Sequence, residues 1–463
     1  MRALLSLTLT LALTLSAKAG PLTAGASAVD ITPPKGCPMA GYYSVRGAEG
    51  THDPLFAKAL VFEKDGTTVA LVSLDLITTT RGLVEDARKR IEKETQIPGT
   101  HVMISATHSH TGPVLWDGSP RAELFGGGKI AKDYVAELPG KIADAVKKAH
   151  AARRPAKVSF GCGKEEGLAF NRRFHMADGG IGWNPGKKNP KVVRPAGPVD
   201  PGVPVVLVET DEKQPKPIAV YVNFAMHLDT VGGLSYSADY PYALSKALGA
   251  VKGDDFVTVF TTGTCGDINH INVDSDKPQK GHGEAARIGT RLAAEVLRTF
   301  DALTPTDGAL RVSSETVELA LPAVTADEAL AARQVLTDIE KGTKPAPKFL
   351  DQVQAFKAVD VSGRLGKPYQ VEVQVITLGD DLAWVSLPGE IFVELGIQIK
   401  RGSPFRQTMI AELANGSIGY VPNRVAYSQG AYEVVSARVA EGSGEKLVDA
   451  ALKQLRAQFK AGK

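Results

Sequence analysis

The feature that most constrains the fold of this chain is the alternation of two hydrophobic periods along it. A strand-like run, TVALVSLDL (68–76), precedes RGLVEDARKRIEKET (81–95), whose apolar residues recur at helical spacing. The same alternation continues, with predicted strands at 101–107, 204–210, 217–225, 256–262, 369–379 and 382–389 and predicted helices at 131–152, 241–250, 284–300 and 445–459. This pattern predicts an α/β fold, a layered domain with mixed sheets.

Two segments depart from this alternation. Residues 171–202 are rich in Gly, Pro and Lys. A long irregular segment of this kind inside a compact domain is typical of a functional loop or a lid. Residues 324–360 are more polar and are predicted to be helical. Pro139 is expected to kink or break the helix predicted at 131–152.

The N-terminal residues predict export. Arg2 precedes an apolar run at 3–16, and Ala17-Lys18-Ala19 is typical of a cleavage site. The run is shorter than the roughly 20 residues that a membrane span needs. We therefore predict a signal peptide at 1–19, one catalytic domain at 20–463, and a periplasmic or secreted location.

Composition argues against two classes of site. The chain has 54 basic and 51 acidic residues, which gives no indication of a basic surface for nucleic acid. The cysteines are too few and too scattered for a disulfide framework or a zinc–thiolate cluster, although one bridge is compatible with export. The three are Cys37, Cys162 and Cys265.

Two of the nine histidines stand at the end of one predicted strand, in ISATHSHTGP (104–113). Side chains at positions i and i+2 of a strand share a face, so His108 and His110 are expected to point into one cleft. Imidazole is a common zinc ligand, which favours metal binding or catalysis. The alternative is that one or both histidines only hydrogen-bond to the following loop.

Three more strand ends carry groups of this kind, and open α/β sheets usually build their sites at such positions. His227 follows an apolar strand, and Asp229, two residues later, is placed to fix the tautomer of a ligand histidine. Glu390 follows Pro-Gly and is predicted to open a helix, where a carboxylate benefits from the helix dipole. The glycines of TTGTCGDINHINVD (261–274) allow an oxyanion-binding turn, or alternatively a tight turn with side-chain hydrogen bonds. Together the four places fit a catalytic Zn²⁺ with an open position.

The chain resembles the neutral ceramidases, zinc-dependent secreted or surface amidases that split the N-acyl bond of ceramide. Several segments are similar to that family in the same order: GASAVDITPP, GYYSVRG, HDPLFAKALVFE, SATHSHTGP, NFAMHLDT, PGEIFVELG and GYVPNRVAYSQGAYEV. The resemblance runs from about residue 22 to the end of the chain. It implies the neutral ceramidase catalytic fold, without the C-terminal β-sandwich domain of family members.

The resemblance also implies roles for particular residues. Zinc would be held by four side chains: His108, His227, Glu390 and Tyr420. His110 would lie beside the metal as a base or a substrate-orienting group. Arg172 corresponds to the family's active-site arginine, or the adjacent Arg173 if the alignment shifts by one residue. Tyr432 corresponds to a second tyrosine that hydrogen-bonds at the amide.

One motif departs from the family. The family loop reads Gly-Asp-x-Ser-Pro-Asn, with the serine as proposed nucleophile, whereas this chain has Gly266, Asp267, Ile268 and Asn269. We count Asp267 and Asn269 among the candidate catalytic residues, with Asn269 as a donor to the oxyanion. Because an amide cannot replace the serine, metal-activated water is the expected attacking group.

Three functional hypotheses follow from these patterns. In the first, the protein is a zinc hydrolase that cleaves a ceramide-like N-acyl amide or a related ester, and its partners are a small-molecule or lipid substrate and a membrane surface. In the second, it has diverged into a non-catalytic zinc protein that binds a lipid or other ligand. In the third, the histidines are structural and no metal binds.

Overall fold

The computed structural model describes residues 20–462, so the predicted signal peptide (1–19) lies outside the described residues. Within 20–462, no helix combines the length and the hydrophobicity that a membrane span requires. The cysteines of this part of the chain are all free thiols, and Cys37 and Cys265 are buried.

The strands of the described chain are numbered here in chain order. They are β1 (Thr23–Asp30), β2 (Gly50–Thr51), β3 (Phe56–Lys64), β4 (Thr67–Leu74), β5 (Val102–Ala106), β6 (Arg154–Lys164), β7 (Phe170–Asn171), β8 (Arg173–Met176), β9 (Ile181–Trp183), β10 (Val192–Pro195), β11 (Gly202–Thr210), β12 (Pro217–Phe224), β13 (Ser235–Tyr236), β14 (Val257–Thr262), β15 (Ile268–Asn269), β16 (Thr304–Thr306), β17 (Leu310–Leu319), β18 (Tyr369–Leu378), β19 (Leu382–Ser386), β20 (Glu390–Ile391), β21 (Gln407–Ala411) and β22 (Tyr420–Val421).

The α-helices are numbered in the same way. They are α1 (Arg81–Thr95), α2 (Pro120–Gly126), α3 (Lys129–Ala151), α4 (Tyr240–Lys252), α5 (His282–Thr299), α6 (Ala326–Glu340), α7 (Phe349–Gly363), α8 (Val393–Gly402), α9 (Arg424–Gln429), α10 (Tyr432–Ser436) and α11 (Ser443–Ala461).

The main sheet has nine strands and mixes parallel with antiparallel pairs. Its order is β14-β12-β11-β6-β1-β3-β4-β5, with β16 also paired to β6. The pairs β4–β5 and β12–β14 are parallel, and the other pairs are antiparallel. A smaller sheet has the order β17-β18-β19-β21. The predicted α/β fold with layered mixed sheets is therefore confirmed.

The main sheet is strongly curved. β1 and β6 pair over only two residues, Thr23 and Ala24, so the sheet consists of two halves joined at a corner. At the opposite side, β14 contacts β3 and β4. Two hydroxyls join these edges: Ser73 Oγ donates to the carbonyl of Phe260, and Thr262 Oγ1 donates to that of Thr107. The curvature therefore brings the carboxyl ends of the two parallel pairs together.

Strand residues alternate between two buried faces, which explains their nearly continuous apolar sequences. In β3, Ala59 and Val61 pack in the cluster formed with α1 and α3. Leu60 and Phe62 point the other way and pack with Trp384 of the smaller sheet. Helices α8 and α11 cover the outer face of that sheet. The result is a stack of helix, sheet, sheet and helix layers.

Local sequence sets the helix boundaries. The hydroxyl of Thr80 accepts the backbone N–H of Leu83 and caps α1, which ends before Gln96 in the left-handed region (φ 63°). Of the predicted kink or break at Pro139, the break was wrong, since α3 is continuous through this residue. Pro139 and its neighbour Leu138 are buried against the sheet, and this packing stabilises the helix despite the lost hydrogen bond.

The segment 171–202, predicted as a loop or lid, contains ordered strands. β8 pairs with β9 and β10 in a three-stranded sheet, and β7 pairs with β15. The polar section near 324–360 forms α6 and α7, as its composition indicated.

Trp384 provides a test of the sheet-on-sheet packing. Its side chain is fully buried, and its ring lies 6.0 Å from that of Phe62 and 6.1 Å from that of Tyr221. We expect Trp384→Ala to lower the free energy of unfolding by about 3–5 kcal/mol, measured by urea denaturation, because it opens a cavity between the sheets. Leu330→Ala, at an exposed position, is the control. A loss below about 1 kcal/mol for Trp384→Ala would contradict this packing.

Candidate metal centre and active site

His108 lies in the loop after β5 rather than in the strand. Its backbone has φ 78°, a left-handed conformation that L-residues rarely adopt, so the predicted i, i+2 strand geometry for His108 and His110 was wrong. The loop is held because His108 N donates to the carbonyl of Leu76 at 2.8 Å. His108 Nδ1 lies 2.7 Å from the carbonyl of Ile77, which follows the parallel neighbour β4. Nε2 is therefore left for another partner.

His227 is placed in the same way at the other parallel pair. It follows β12, and its Nδ1 lies 2.9 Å from the carbonyl of Cys265, which follows β14. The carbonyl fixes the tautomer, so the expectation that Asp229 does this was wrong. Asp229 instead accepts a hydrogen bond from Tyr42 at 2.6 Å and faces Nδ1 of His110 at 3.9 Å.

Glu390 and Tyr420 come from the end of the smaller sheet. The expected helix at Glu390 begins only at Val393, and Glu390 itself lies in β20. β20 pairs in parallel with β22 in a register that sets Glu390 opposite Tyr420. These two side chains, 30 positions apart in the sequence, are therefore adjacent because of backbone pairing.

Three of the predicted ligand atoms converge. Glu390 Oε2 lies 3.4 Å from His108 Nε2 and 3.3 Å from His227 Nε2. Both Glu390 Oε2 and His227 Nε2 are buried without a hydrogen-bond partner among the described residues. Two ligands that are about 2.0–2.2 Å from a tetrahedral zinc ion lie about 3.3–3.6 Å apart. The spacing, the orphaned atoms and the imidazole–carboxylate chemistry all fit a zinc ion.

The histidines of the cluster differ in protonation. Burial acts to lower the pKa of His108, but the neighbouring Glu390 raises it, so a bound cation would displace the His108 proton. Burial lowers the pKa of His227 to about 3, so its imidazole is neutral. Burial acts to raise the pKa of Glu390, but the neighbouring His108 and His227 hold it well below its usual range. Burial and the charge of Glu390 raise the pKa of Tyr420. Neutral imidazole and carboxylate are the forms that bind metals.

His110 lies beside the converging atoms. Its Nε2 is 3.3 Å from His108 Nε2, and the three imidazoles of His108, His110 and His227 could together hold an ion. Its Nδ1 is buried and has no hydrogen-bond partner among the described residues. Burial lowers the pKa of His110 to about 4.

Arg172 is fully buried behind the tyrosines. Its Nη2 donates to Tyr420 Oη at 3.1 Å and to the carbonyl of Gly266 at 2.7 Å, and its Nε donates to Glu433 Oε1 at 2.8 Å. Glu433 has no exposed surface and also pairs with Arg173 at 2.9 Å. Arg172 is thus placed to orient Tyr420. Arg173 pairs with the same glutamate, Glu433, and so helps to fix the position of Arg172.

Tyr432 faces the cavity in front of this network. Its ring lies 5.4 Å from that of Tyr420 and 4.5 Å from that of Trp183. Burial raises its pKa, so the hydroxyl remains protonated. That hydroxyl makes no hydrogen bond within residues 20–462, which leaves it as a donor for a ligand.

The side chains of Asp267 and Asn269 fix neighbouring segments of the chain through hydrogen bonds. Asp267 accepts hydrogen bonds from Asn171 Nδ2 and from the backbone N–H of Val393, both at 2.8 Å. Burial raises its pKa to about 6. The amide of Asn269 donates to Asn184 Oδ1 and accepts the N–H of Ile271, both at 3.0 Å. Neither residue lines the cavity that Tyr432 faces, so the geometry gives them positioning roles.

The group of candidate metal ligands opens into a cavity of about 460 Å³. His108, His110, Glu390, Tyr420 and Tyr432 all line it. Sequence reasoning missed two buried acids near this site. Glu433 pairs with both arginines, and Glu412 accepts the backbone N–H groups of Cys265 and Ile391. Nothing in the local sequence marks these glutamates as buried, although Glu433 stands next to Tyr432 in the tyrosine-rich segment.

Comparisons with known proteins agree with this architecture. Residues 22–232 match the profile of the family described as neutral/alkaline non-lysosomal ceramidase, N-terminal. The structure is similar to neutral ceramidase from Pseudomonas aeruginosa, with a TM-score of 0.75, 19% identity, and coverage of 95% of this chain and 75% of that one. A ceramidase complexed with C2 gives a TM-score of 0.74 at 18% identity, over 95% and 76% of the two chains. A comparison with curated proteins found no match.

The family match includes His108 and His227, whereas Glu390 and Tyr420 lie beyond residue 232 in the part related by fold. The resemblance seen in the sequence motifs is thereby confirmed. Residues 22–232 are similar to the neutral/alkaline non-lysosomal ceramidase family, and the described chain has the neutral ceramidase fold.

Proposed function

We propose that this protein is an exported zinc-dependent hydrolase of the neutral ceramidase type that cleaves a ceramide-like N-acyl amide or a related ester. One observation carries the proposal. The Nε2 atoms of His108 and His227 both lie within 3.4 Å of the same oxygen, Glu390 Oε2. Tyr420 completes the ligand set. The N-terminal residues 1–19, with their signal-peptide pattern, support export to the periplasm or beyond the cell.

Zinc in this position would polarise a carbonyl and lower the pKa of water to about 7. The protein's own residues supply the remaining functions. His110, a neutral imidazole lining the cavity, can accept a proton and return it to the departing amine or alcohol. The protonated Tyr432 hydroxyl can donate to the carbonyl oxygen as negative charge develops there. Arg172 orients Tyr420 through the 3.1 Å contact.

A non-catalytic zinc protein that binds a lipid is the second candidate. The observation that favours it is Asn269, which stands where the family has its serine and whose amide is engaged with Asn184 and Ile271. The first candidate remains the better supported, because three of its four proposed metal ligands, a base and a hydroxyl donor all border one cavity.

Metal dependence tests the proposal directly. We expect the purified protein to hydrolyse fluorogenic N-acyl amide or ester substrates, to lose this activity with 1,10-phenanthroline, and to regain it when Zn²⁺ is restored, since Asn269 stands in place of the family's serine. Turnover that is insensitive to the chelator would rule out this chemistry.

A matched pair of histidine variants locates the metal in the same experiment. His52, Asp53 and His282 form a second group able to hold a cation, so His52→Ala is the control for His227→Ala. We expect His227→Ala to reduce bound zinc from about one ion per chain to near zero, and His52→Ala to retain it. Zinc lost only in His52→Ala would contradict the assignment.

Asn269→Ser separates the two candidates. The hydrolase proposal predicts that the natural protein is active and that this variant stays within about tenfold of its kcat/KM, because position 269 holds backbone rather than substrate. Ceramidase activity that appears only in Asn269→Ser would show that the natural protein has lost the reaction. Steady-state kinetics on an N-acyl-sphingosine substrate gives the comparison.

A further inference from the structure

We propose that the cavity selects substrates bearing an anionic group, a carboxylate, phosphate or sulfonate, and that Arg121, Arg364 and Arg438 bind this group. The inference rests on the proposed hydrolase function, because it names the substrate class of the same site. An uncharged ceramide would leave the Arg121 guanidinium and the two Nη atoms of Arg438 without a hydrogen-bond partner in the described chain.

The cavity lining carries several guanidinium groups in addition to its apolar residues. Four arginines border it, against three carboxylates, one of which is the metal-site Glu390. The charged residues are Arg81, Arg121, Arg364, Arg438, Asp117, Asp360 and Glu390. Arg81 is paired with Glu85 at 2.7 Å and also donates to the carbonyl of Gln370 at 2.8 Å, so it is not counted among the anion-binding residues.

Two of these arginines form one group at the end of α7. Arg364 stacks over the ring of Tyr369 at 3.7 Å and has no carboxylate partner within residues 20–462. Arg438 pairs through Nε with Asp360 at 2.6 Å, which leaves its two Nη atoms without a hydrogen-bond partner in the described chain. Arg364 donates to the backbone carbonyls of Lys367 and Pro368, so Asp360 is the one carboxylate that pairs with this group in the described chain.

The Arg438 side chain lies close to the proposed reaction site. A Cβ atom added to Gly419 would lie 2.7 Å from Arg438 Nη1, and Gly419 directly precedes Tyr420. The Arg438 guanidinium is thus packed against the backbone that carries a metal ligand. An anion bound to it would lie beside the metal cluster.

Arg121, on α2, supplies a third cation. Its guanidinium lies 4.4 Å from the ring of Tyr43 and makes no hydrogen bond or ion pair within residues 20–462. Its charge also acts on Tyr432, the proposed donor to the carbonyl oxygen. Arg121 therefore lies near the same reacting centre.

Physical chemistry favours an anion in this place. Half-buried guanidinium groups lose hydration, and bidentate pairing with a carboxylate, phosphate or sulfonate restores it with directional hydrogen bonds. Other lining residues are apolar and suit an aliphatic chain, namely Met39, Val114, Leu115, Phe125, Leu413 and Ile418. The combination fits an amphiphilic N-acyl compound with one anionic group.

Matched substrates test this inference on the natural protein. In the first pair, the amine part carries a sulfonate in N-octanoyl taurine and a hydroxyl in N-octanoyl ethanolamine. A second pair places an ω-carboxylate or a methyl group at the end of the acyl chain. We expect the anionic member of at least one pair to have a kcat/KM at least about tenfold higher, as charged hydrogen bonds provide. Equal values, or preference for both neutral members, would overturn the inference while leaving the hydrolase proposal intact.

Binding provides a readout that does not require turnover. We expect octanesulfonate to bind the natural protein, measured by calorimetry, and added salt to weaken the binding. Arg364→Gln and Arg121→Gln should each raise its dissociation constant about tenfold. Arg333→Gln, at an exposed position of α6 away from the cavity, is the control and should leave it unchanged.

The two proposals can fail separately. If no amide or ester is hydrolysed, the hydrolase proposal fails, and octanesulfonate binding alone decides whether the arginines form an anion site. If octanesulfonate does not bind, or binds equally to Arg364→Gln, Arg121→Gln and the natural protein, the anion site is overturned. Thermal unfolding of each variant checks that it is folded, and the substrate pairs on the natural protein decide the matter if a variant is not.

Discussion

The candidate site depends on two hydrogen bonds from imidazole Nδ1 to backbone carbonyls. His108 uses the carbonyl of Ile77 and His227 that of Cys265, at 2.7 and 2.9 Å. Each bond directs Nε2 toward Glu390. Each carbonyl belongs to the loop after a parallel neighbouring strand, so the orientation of both rings follows from the strand pairing. The curvature of the main sheet is then what brings the two parallel pairs together.

Buried charge is arranged around this centre so that it is satisfied by pairing. Glu433 neutralises Arg172 and Arg173, and Arg172 in turn contacts Tyr420. A buried charge without its partner is strongly destabilising, so this network also fixes the positions of the loops that contribute to it. Glu390 Oε2 and His227 Nε2 are different, since they remain orphaned among the described residues and point at a common centre. A cation bound at that centre, as proposed, would offset the cost of burying them.

The sequence predicted the layers well because their signals are local. The helix α1 was predicted at its observed bounds of Arg81 and Thr95 from hydrophobic period alone. The failures involve long-range packing: Pro139 remains inside a helix because buried contacts support it, and Glu390 joins a strand because Tyr420 pairs with it. The tautomer of His227 is set by a carbonyl 38 residues away, which no local motif announces. Motif order identified the candidate ligands, whereas their geometry required the fold.

The central claim is that one cation is shared by His108, His227, Glu390 and Tyr420. The most direct measurement is X-ray diffraction from crystals of the purified protein, recorded on both sides of the zinc absorption edge. The account predicts one anomalous peak about 2.0–2.2 Å from His108 Nε2, His227 Nε2 and Glu390 Oε2. Zinc found elsewhere, for example between His52 and His282, with these four side chains lacking a common ion, would contradict it.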